Sequence, residues 1–226
     1  MTGRSSAPGL ALALPVPALS SLLLLLLFWG GGTAAGAGVD VEMSTISGDP
    51  DRPRRHFRLR HPARLSGERA RSLYDIVADA MARGYARSGL TAARDYRGWT
   101  RFNTHPYLSA THGNHYVNNY GNDKARAYAR FEQAGTLPVG AIIAKDSFSV
   151  TGSGGILLGP LFVMEKMPPG FNPVSGDWRY TMVLPDGTVA GVTHGRSARR
   201  VEYCVGCHLA REPFDHLYFV PEAVRP

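Results

Sequence analysis

Two cysteines and a histidine lie close together near the C-terminus, in the segment Cys204-Val205-Gly206-Cys207-His208. This is the spacing of covalent c-type haem attachment, in which both thiols add across the haem vinyl groups and the adjacent histidine becomes the proximal iron ligand. A zinc site would normally need a second cysteine pair, and a thioredoxin-like redox pair would begin a helix after a central strand. The chain has only 2 cysteines, so the motif favours one haem c over both alternatives.

The second axial position of such an iron decides between electron transfer and the binding of a small ligand. Methionines and histidines are possible ligands there: Met164, Met167, Met182, His112, His115, His194 and His216. Core packing is the commoner role of a strand methionine, and hydrogen bonding is the commoner role of a histidine. The sequence therefore predicts His208 as the proximal ligand and leaves the opposite position open.

The elements that must position this motif are helices followed by short strands. Apolar residues at three- and four-residue steps predict a helix from Ser66 to about Gly89, and they are Leu73, Ile76, Val77, Ala80, Met81 and Tyr85. A shorter helix is predicted after Asn122, ending at Gly135. Runs of branched and aromatic residues predict strands at 116–118, 141–148, 161–166, 178–184 and 188–192. The predicted fold class is α+β, a mainly antiparallel sheet with two or three helices and the haem near the C-terminus.

Composition limits the functions that this chain can have. Its 226 residues are 44% hydrophobic and 19% charged, which suits one domain and excludes disorder as the main state. The net charge of +7 is spread along the chain without dense basic runs, so dedicated nucleic-acid binding is not expected.

The first 37 residues are predicted to be a signal peptide. They carry one charge, Arg4, then an apolar stretch from Leu10 to Trp29 and a small-residue cleavage pattern at Ala35 and Ala37. The alternative is a permanent membrane anchor, since the apolar stretch is just long enough to span a membrane. Because prolines interrupt its first half, we expect cleavage, with no membrane span remaining. Residues 38–65 are polar and predict a flexible arm, and residues 66–226 predict the haem domain. Since haem c is attached outside the cytoplasm in bacteria, the sequence predicts a periplasmic protein.

Several segments, taken in order, resemble the cytochrome P-460 family. They are Tyr96-Arg97-Gly98-Trp99, residues 113–118, 135–148, 159–166 and 176–180, and the cysteine motif. The resemblance implies one haem c on a mainly antiparallel β fold, a lysine bonded to a meso carbon of the haem, and a five-coordinate iron. It also implies oxidation of hydroxylamine, with electrons passed to a soluble cytochrome and a homodimer as a possible assembly. Close relatives called cytochrome c′-beta lack the lysine bond and bind nitric oxide, and an electron-transfer cytochrome is a third possibility.

The resemblance also assigns the lysine. The family's cross-linking lysine lies on the strand after the short helix, where this chain has Lys145. Lys124 falls in the first turn of the predicted helix and is expected to be solvated, and Lys166 ends the next strand. Strand alternation puts Ile143 on the same face as Lys145, and burial there would favour the neutral amine that can attack carbon.

The remaining pocket residues also follow from the resemblance. Glu165 resembles the family's pocket carboxylate, which could accept protons from hydroxylamine. Phe148 and Phe162 would wall the pocket and restrict it to small ligands. A basic residue that hydroxylamine-oxidising members place before the Tyr-Val strand is replaced here by Gly113 and its neighbours. Either His112 or His115 stands in for it, or the distal pocket has a different role.

Overall fold

The computed structural model describes residues 41–43 and 58–226. The predicted signal peptide, residues 1–37, lies outside this part of the chain, so its cleavage stays a prediction. In the described part, no helix combines the length and the apolar character needed to cross a membrane.

A nine-stranded sheet is the centre of the described structure. Its strands are β1 (Val41–Met43), β2 (Thr100–Arg101), β3 (Tyr107–Ser109), β4 (His115–Gly121), β5 (Ile142–Val150), β6 (Ile156–Leu158), β7 (Leu161–Lys166), β8 (Trp178–Val183) and β9 (Val189–Val192). The long strand β5 is central: β4 pairs with it along one edge, and β7 and β6 pair with successive parts of the other edge, all antiparallel. β8 and β9 continue the antiparallel order beyond β7, while β1 runs parallel to β6. The predicted mainly antiparallel α+β fold is confirmed.

Three α-helices accompany the sheet in the described residues: α1 (Gly67–Ala86), α2 (Thr91–Asp95) and α3 (Glu202–Leu209). Ser66 caps α1, since its hydroxyl accepts a hydrogen bond from the Arg69 N–H at 3.3 Å. This cap and the apolar periodicity of the sequence explain why α1 starts where it was predicted to start.

The buried face of α1 is rotated from the predicted one. Ile76 is 56% exposed and Ala80 is also exposed. Tyr74 is buried instead, and its hydroxyl donates to Asp146 Oδ2 on β5 at 2.6 Å. A tyrosine was not counted in the predicted stripe, yet this one turns the face toward the sheet because its hydroxyl finds a buried acceptor.

The second predicted helix forms with a different hydrogen-bond pattern. Asn122 caps it as expected, with its Oδ1 accepting from the Ala125 N–H at 3.1 Å. The segment Asp123–Gln133 is 3₁₀-helical rather than α-helical, and Phe131, with φ of 52°, interrupts it before the predicted end at Gly135. The sequence pattern shows that a helical segment is present but does not distinguish these two types.

The two faces of the sheet bury different sets of residues because strand side chains alternate. One face packs against α1, and its cluster includes Tyr74, Met81, Ala144, Phe148 and Val163. The other face packs against α3 and the C-terminal segment, and its cluster includes Ile143, Phe162, Met164, Tyr180 and Leu217. Neighbouring side chains of β5 therefore lie on opposite faces of the sheet, with Lys145 on the α3 side and Asp146 on the α1 side.

Asp146 is the polar centre of the α1 side. Its Oδ2 accepts from the hydroxyls of Tyr74 and Tyr96 at 2.6 and 3.2 Å, and its Oδ1 accepts from Asn118 Nδ2 at 3.1 Å. The carboxyl group is fully buried, and this burial raises its pKa to about 6 although the hydrogen bonds oppose the shift. A satisfied buried carboxyl group fixes α1 to the middle of β5.

The described parts of the predicted arm contact the sheet. Residues 41–43 form β1, which pairs with β6. Farther along, the Leu59 N–H donates to the Gly113 carbonyl at 3.0 Å, and the Ala63 N–H donates to the Val150 carbonyl at 2.8 Å. These bonds attach the described ends of the arm to the sheet, while the predicted boundary at residue 65 stays a prediction.

Candidate functional site

Helix α3 presents the three motif side chains to one cavity. Cys204, Cys207 and His208 stand at positions i, i+3 and i+4, which share one helical face, and all three line the same cavity. Both cysteines are free thiols, Cys204 buried and Cys207 exposed. Burial raises the pKa of the Cys204 thiol to about 12. The helix therefore holds two thiols and one imidazole at the spacing that the motif requires.

The imidazole of His208 is oriented by the backbone. Its Nδ1 lies 2.6 Å from the carbonyl oxygen of His216. A carbonyl can only accept, so Nδ1 carries the proton and the lone pair is at Nε2. Burial lowers the pKa of His208 to about 3, with the charge of Lys145 adding to the shift. His208 is thus neutral at physiological pH and has the protonation state of a metal ligand.

Strands β5, β7 and β8 supply another wall of the cavity. In the sheet register, Lys145 lies beside Phe162, Ile143 beside Met164, and Met164 beside Tyr180, and all five line the cavity. The space not occupied by atoms is about 530 Å³, part of it open to solvent. Apart from Lys145, Thr181 and the tyrosine hydroxyl, this wall is apolar.

Lys145 is buried in this wall, with only 5% of its surface exposed. Burial lowers the pKa of its amine to about 8. None of the residues that the structure describes forms an ion pair or a hydrogen bond with its ammonium group. Strand alternation places it as the sequence predicted, on the face of Ile143 and in the same cavity as the cysteine motif.

His112 and Thr111 line the cavity near Phe162. The imidazole of His112 packs against the Phe162 ring at a centroid distance of 5.0 Å. Its Nδ1 lies within hydrogen-bond distance of Ser109 Oγ and Thr111 Oγ1, at 3.0 and 3.2 Å. Of the two histidines predicted to replace the missing basic residue, His112 is the one that lines the cavity.

His115 points elsewhere. It is buried, and its Nδ1 lies 2.8 Å from Ser149 Oγ, away from the cavity lining. Gly113 and Asn114 both adopt left-handed conformations, with φ of 73° and 61°, and they turn the chain between His112 and β4. The prediction that His115 could serve the pocket is wrong because this turn separates the two histidines.

Two further pocket predictions are wrong because of strand alternation. Phe148 lies an odd number of positions from Lys145, so it faces α1, where its ring packs 6.2 Å from that of Tyr74. Glu165 adjoins the cavity residue Met164 and therefore leaves β7 on the other side. There it forms an ion pair with its register partner Arg179. Of the two predicted phenylalanines, only Phe162 lines the cavity.

Sequence reasoning missed two tyrosines at the cavity. The rings of Tyr180 and Tyr218 pack against His208 at centroid distances of 5.1 and 5.2 Å. The Tyr218 hydroxyl donates to the Cys207 carbonyl at 3.0 Å, which ties the C-terminal segment to α3. Alternation from Met182 could have placed Tyr180, whereas Tyr218 lies in a segment without periodic structure, and no local pattern marks it.

The fold and the cavity define a protein built around a cysteine-bearing helix on a mainly antiparallel sheet. The family model described as Cytochrome P460 matches residues 93–219. The chain belongs to this family, which confirms the resemblance inferred from the sequence and implies that the protein binds haem and iron. No curated protein matches the chain.

The residues of the cavity fit a covalently attached haem. Two free thiols and a neutral histidine face a largely apolar space, as covalent attachment and iron ligation require. Tyr180 gives an independent observation, because its buried hydroxyl has no hydrogen-bond partner among the residues that the structure describes. A buried polar atom of this kind calls for a partner that the chain does not supply.

Proposed function

We propose that this protein is an exported c-type haem protein that oxidises hydroxylamine. Its haem would be bonded to Cys204 and Cys207 and ligated by His208. The observation that carries the proposal is the position of Lys145, which is buried in the same cavity as all three motif residues. A lysine on the solvent face would have favoured a ligand-binding role instead.

The side chains of the chain then have separate tasks. A bound haem would supply the iron and the redox chemistry. The two thiols would hold it through bonds to its vinyl groups, and His208 would offer Nε2 to the iron. Lys145 would bond to the haem edge, and burial supports this role because it lowers the pKa of the amine to about 8 and so increases the neutral form.

The part of the cavity near His112 suits a small nitrogen compound. Phe162 and Met164 present apolar surface there and would restrict the ligand to a few atoms. His112, whose Nδ1 contacts the Thr111 and Ser109 hydroxyls, is placed to accept protons as hydroxylamine is oxidised. The electrons would pass to a soluble cytochrome in the periplasm.

One observation favours a second candidate, a nitric oxide binder without turnover. The carboxylate that resembles the family's proton acceptor, Glu165, is paired with Arg179 and does not line the cavity. If His112 cannot replace that carboxylate, hydroxylamine would bind without losing its protons. The same cavity would then hold nitric oxide as a stable ligand.

Catalytic turnover of hydroxylamine distinguishes the oxidising enzyme from the nitric oxide binder. The purified holoprotein is mixed with hydroxylamine and an oxidised small c-type cytochrome, and reduction of the acceptor is followed by its visible absorption. We expect steady reduction that depends on hydroxylamine and falls at least tenfold in His112→Phe. A protein that binds nitric oxide but never reduces the acceptor would be a binder, and one with no covalent haem would contradict both candidates.

A further inference from the structure

Two neighbouring residues near the C-terminus adopt a conformation that side chains other than glycine rarely take. Asp215 has φ of +53° and His216 has φ of +61°. Left-handed backbone is uncommon for a single non-glycine residue, and two in succession need support from their surroundings.

The turn is held mainly through Asp215. Its Oδ1 accepts from Lys166 Nζ in an ion pair whose side chains are 9% and 5% exposed. Its Oδ2 accepts from the Leu137 N–H at 2.9 Å, and its carbonyl accepts from Trp178 Nε1 at 2.8 Å. The ammonium group of Lys166 also lies 4.9 Å from the centre of the Trp178 ring. Three separate segments of the chain therefore anchor one residue.

The turn provides a carbonyl group at a defined place. The backbone oxygen of His216 receives the hydrogen bond from His208 Nδ1 at 2.6 Å. The His216 N–H donates to the Arg211 carbonyl at 2.9 Å, which holds the residue on its N-terminal side. Space around the turn is tight, since a Cβ on Gly176 would stand 2.7 Å from His216 Cδ2. The acceptor of the proximal histidine is thus set by Asp215 and, through it, by Lys166.

We propose that Lys166 and Asp215 are positioning residues that tune the proximal iron ligand. The inference rests on the proposed ligation of iron by His208. A hydrogen bond from Nδ1 to a fixed acceptor raises the basicity of the imidazole and fixes its orientation. A more basic ligand stabilises the ferric form relative to the ferrous form, so the buried ion pair holds the reduction potential low. Neither residue touches the cavity, so each acts only through the turn.

The test uses the holoprotein and removes the ion pair without changing the net charge. The double variant Lys166→Met/Asp215→Asn replaces both charges by neutral groups of similar size, and asparagine tolerates the left-handed backbone at position 215. The single variant Asp215→Asn tests the anchor alone. Glu132→Gln is the matched control, because it breaks an ion pair with Arg225 and neither of these residues lines the cavity.

Two readouts report on the ligand rather than on folding: the reduction potential and the iron–histidine stretching frequency of the ferrous protein. We expect the double variant to shift the reduction equilibrium about tenfold toward the ferrous form, which equals 59 mV for one electron, and to lower the stretching frequency. Asp215→Asn should shift both readouts in the same direction. Glu132→Gln should leave both unchanged.

The outcomes separate this inference from the proposed function. The positioning role is refuted if the double variant folds and carries covalent haem but behaves as the parent protein does. In that case its reduction equilibrium would stay within twofold of the parent value, and its iron–histidine stretching frequency would be unchanged. Should the double variant fail to fold, the same criterion applies to Asp215→Asn. A parent protein that lacks covalent haem would instead contradict the proposed function, since no proximal bond would then exist to be tuned.

Discussion

Replacing Lys145 with arginine keeps a cation in the cavity but removes the amine. Burial lowers the pKa of Lys145 to about 8, so about one amine in ten is neutral at pH 7. A solvated lysine with a pKa near 10.4 has only about one neutral amine in 2,500 at that pH. Burial thus raises the reactive population roughly 200-fold, while arginine stays charged throughout the accessible pH range. The Lys145→Arg variant should form no bond to the haem edge and should lose hydroxylamine oxidation.

The pH dependence of bond formation gives the sharper measurement. Forming the new N–C bond removes one hydrogen from the amine and one from the haem carbon, which is a two-electron oxidation. Hydrogen peroxide can serve as the oxidant, and it is reduced to two molecules of water. Since the neutral amine attacks, the initial rate at fixed peroxide should rise about tenfold from pH 6 to 7 and level off above a pH of about 8. The visible spectrum and the mass of the haem peptide after proteolysis report the bond.

A matched variant controls for the loss of a lysine elsewhere. Lys124 is exposed, and its Nζ donates to the Val139 carbonyl at 3.2 Å. Lys124→Arg should behave as the parent protein does. A cross-linked haem in Lys145→Arg, or a parent rate that does not change between pH 6 and pH 8, would refute the reasoning that the buried amine is the nucleophile.

Three further predictions concern the motif and the buried carboxyl group. Exchange of Cys204 and Cys207 for alanine should abolish haem staining after denaturing electrophoresis, because only covalent haem survives denaturation, and retained staining would show that the motif has another role. His208→Ala should keep the staining but change the ferric spectrum, whereas an unaltered spectrum would point to another ligand, with His112, which lines the same cavity, as the candidate. For Asp146, the folded-state pKa of about 6 lies above the ordinary value, so the folded state holds the proton more tightly, and the free energy of unfolding should fall by about 3 kcal/mol in total as the pH rises from about 3 to about 7. Asp146→Asn should lose this decrease in denaturant titrations, and identical pH profiles in both proteins would contradict the assignment.

The sequence predicted the position of a side chain correctly where residue spacing within one helix or strand determines it. The cysteine spacing and strand alternation correctly brought Lys145 and Ile143 to the cavity that the motif lines. The same alternation puts Phe148 and Glu165 on the opposite face of the sheet from the cavity. These two residues were expected in the pocket because of the family resemblance, without regard to the face of the strand. Where the family resemblance and the two-residue alternation of strand side chains disagreed, the alternation gave the correct face of the strand.

Other features depend on contacts between distant segments. The rotation of α1 follows from the hydrogen bond between Tyr74 and Asp146, which are far apart in the chain. The acceptor of the His208 proton is a backbone carbonyl in a turn anchored by Lys166. No local pattern encodes either partner, because each is selected by the tertiary packing of segments that the sequence does not show to be neighbours.

The neighbouring positions Lys145 and Asp146 make the register of β5 a check on correct folding. A slip of one residue would turn Asp146 toward the motif helix and Lys145 toward the tyrosines on the α1 side. The lysine would then lie among the tyrosine hydroxyl groups that bind a carboxylate, and a carboxyl group would face the imidazole of His208. The buried carboxyl group of Asp146 would lose its hydrogen bonds from Tyr74, Tyr96 and Asn118, which is costly. A misaligned strand therefore loses the polar centre of the α1 side, and this loss favours one register of β5.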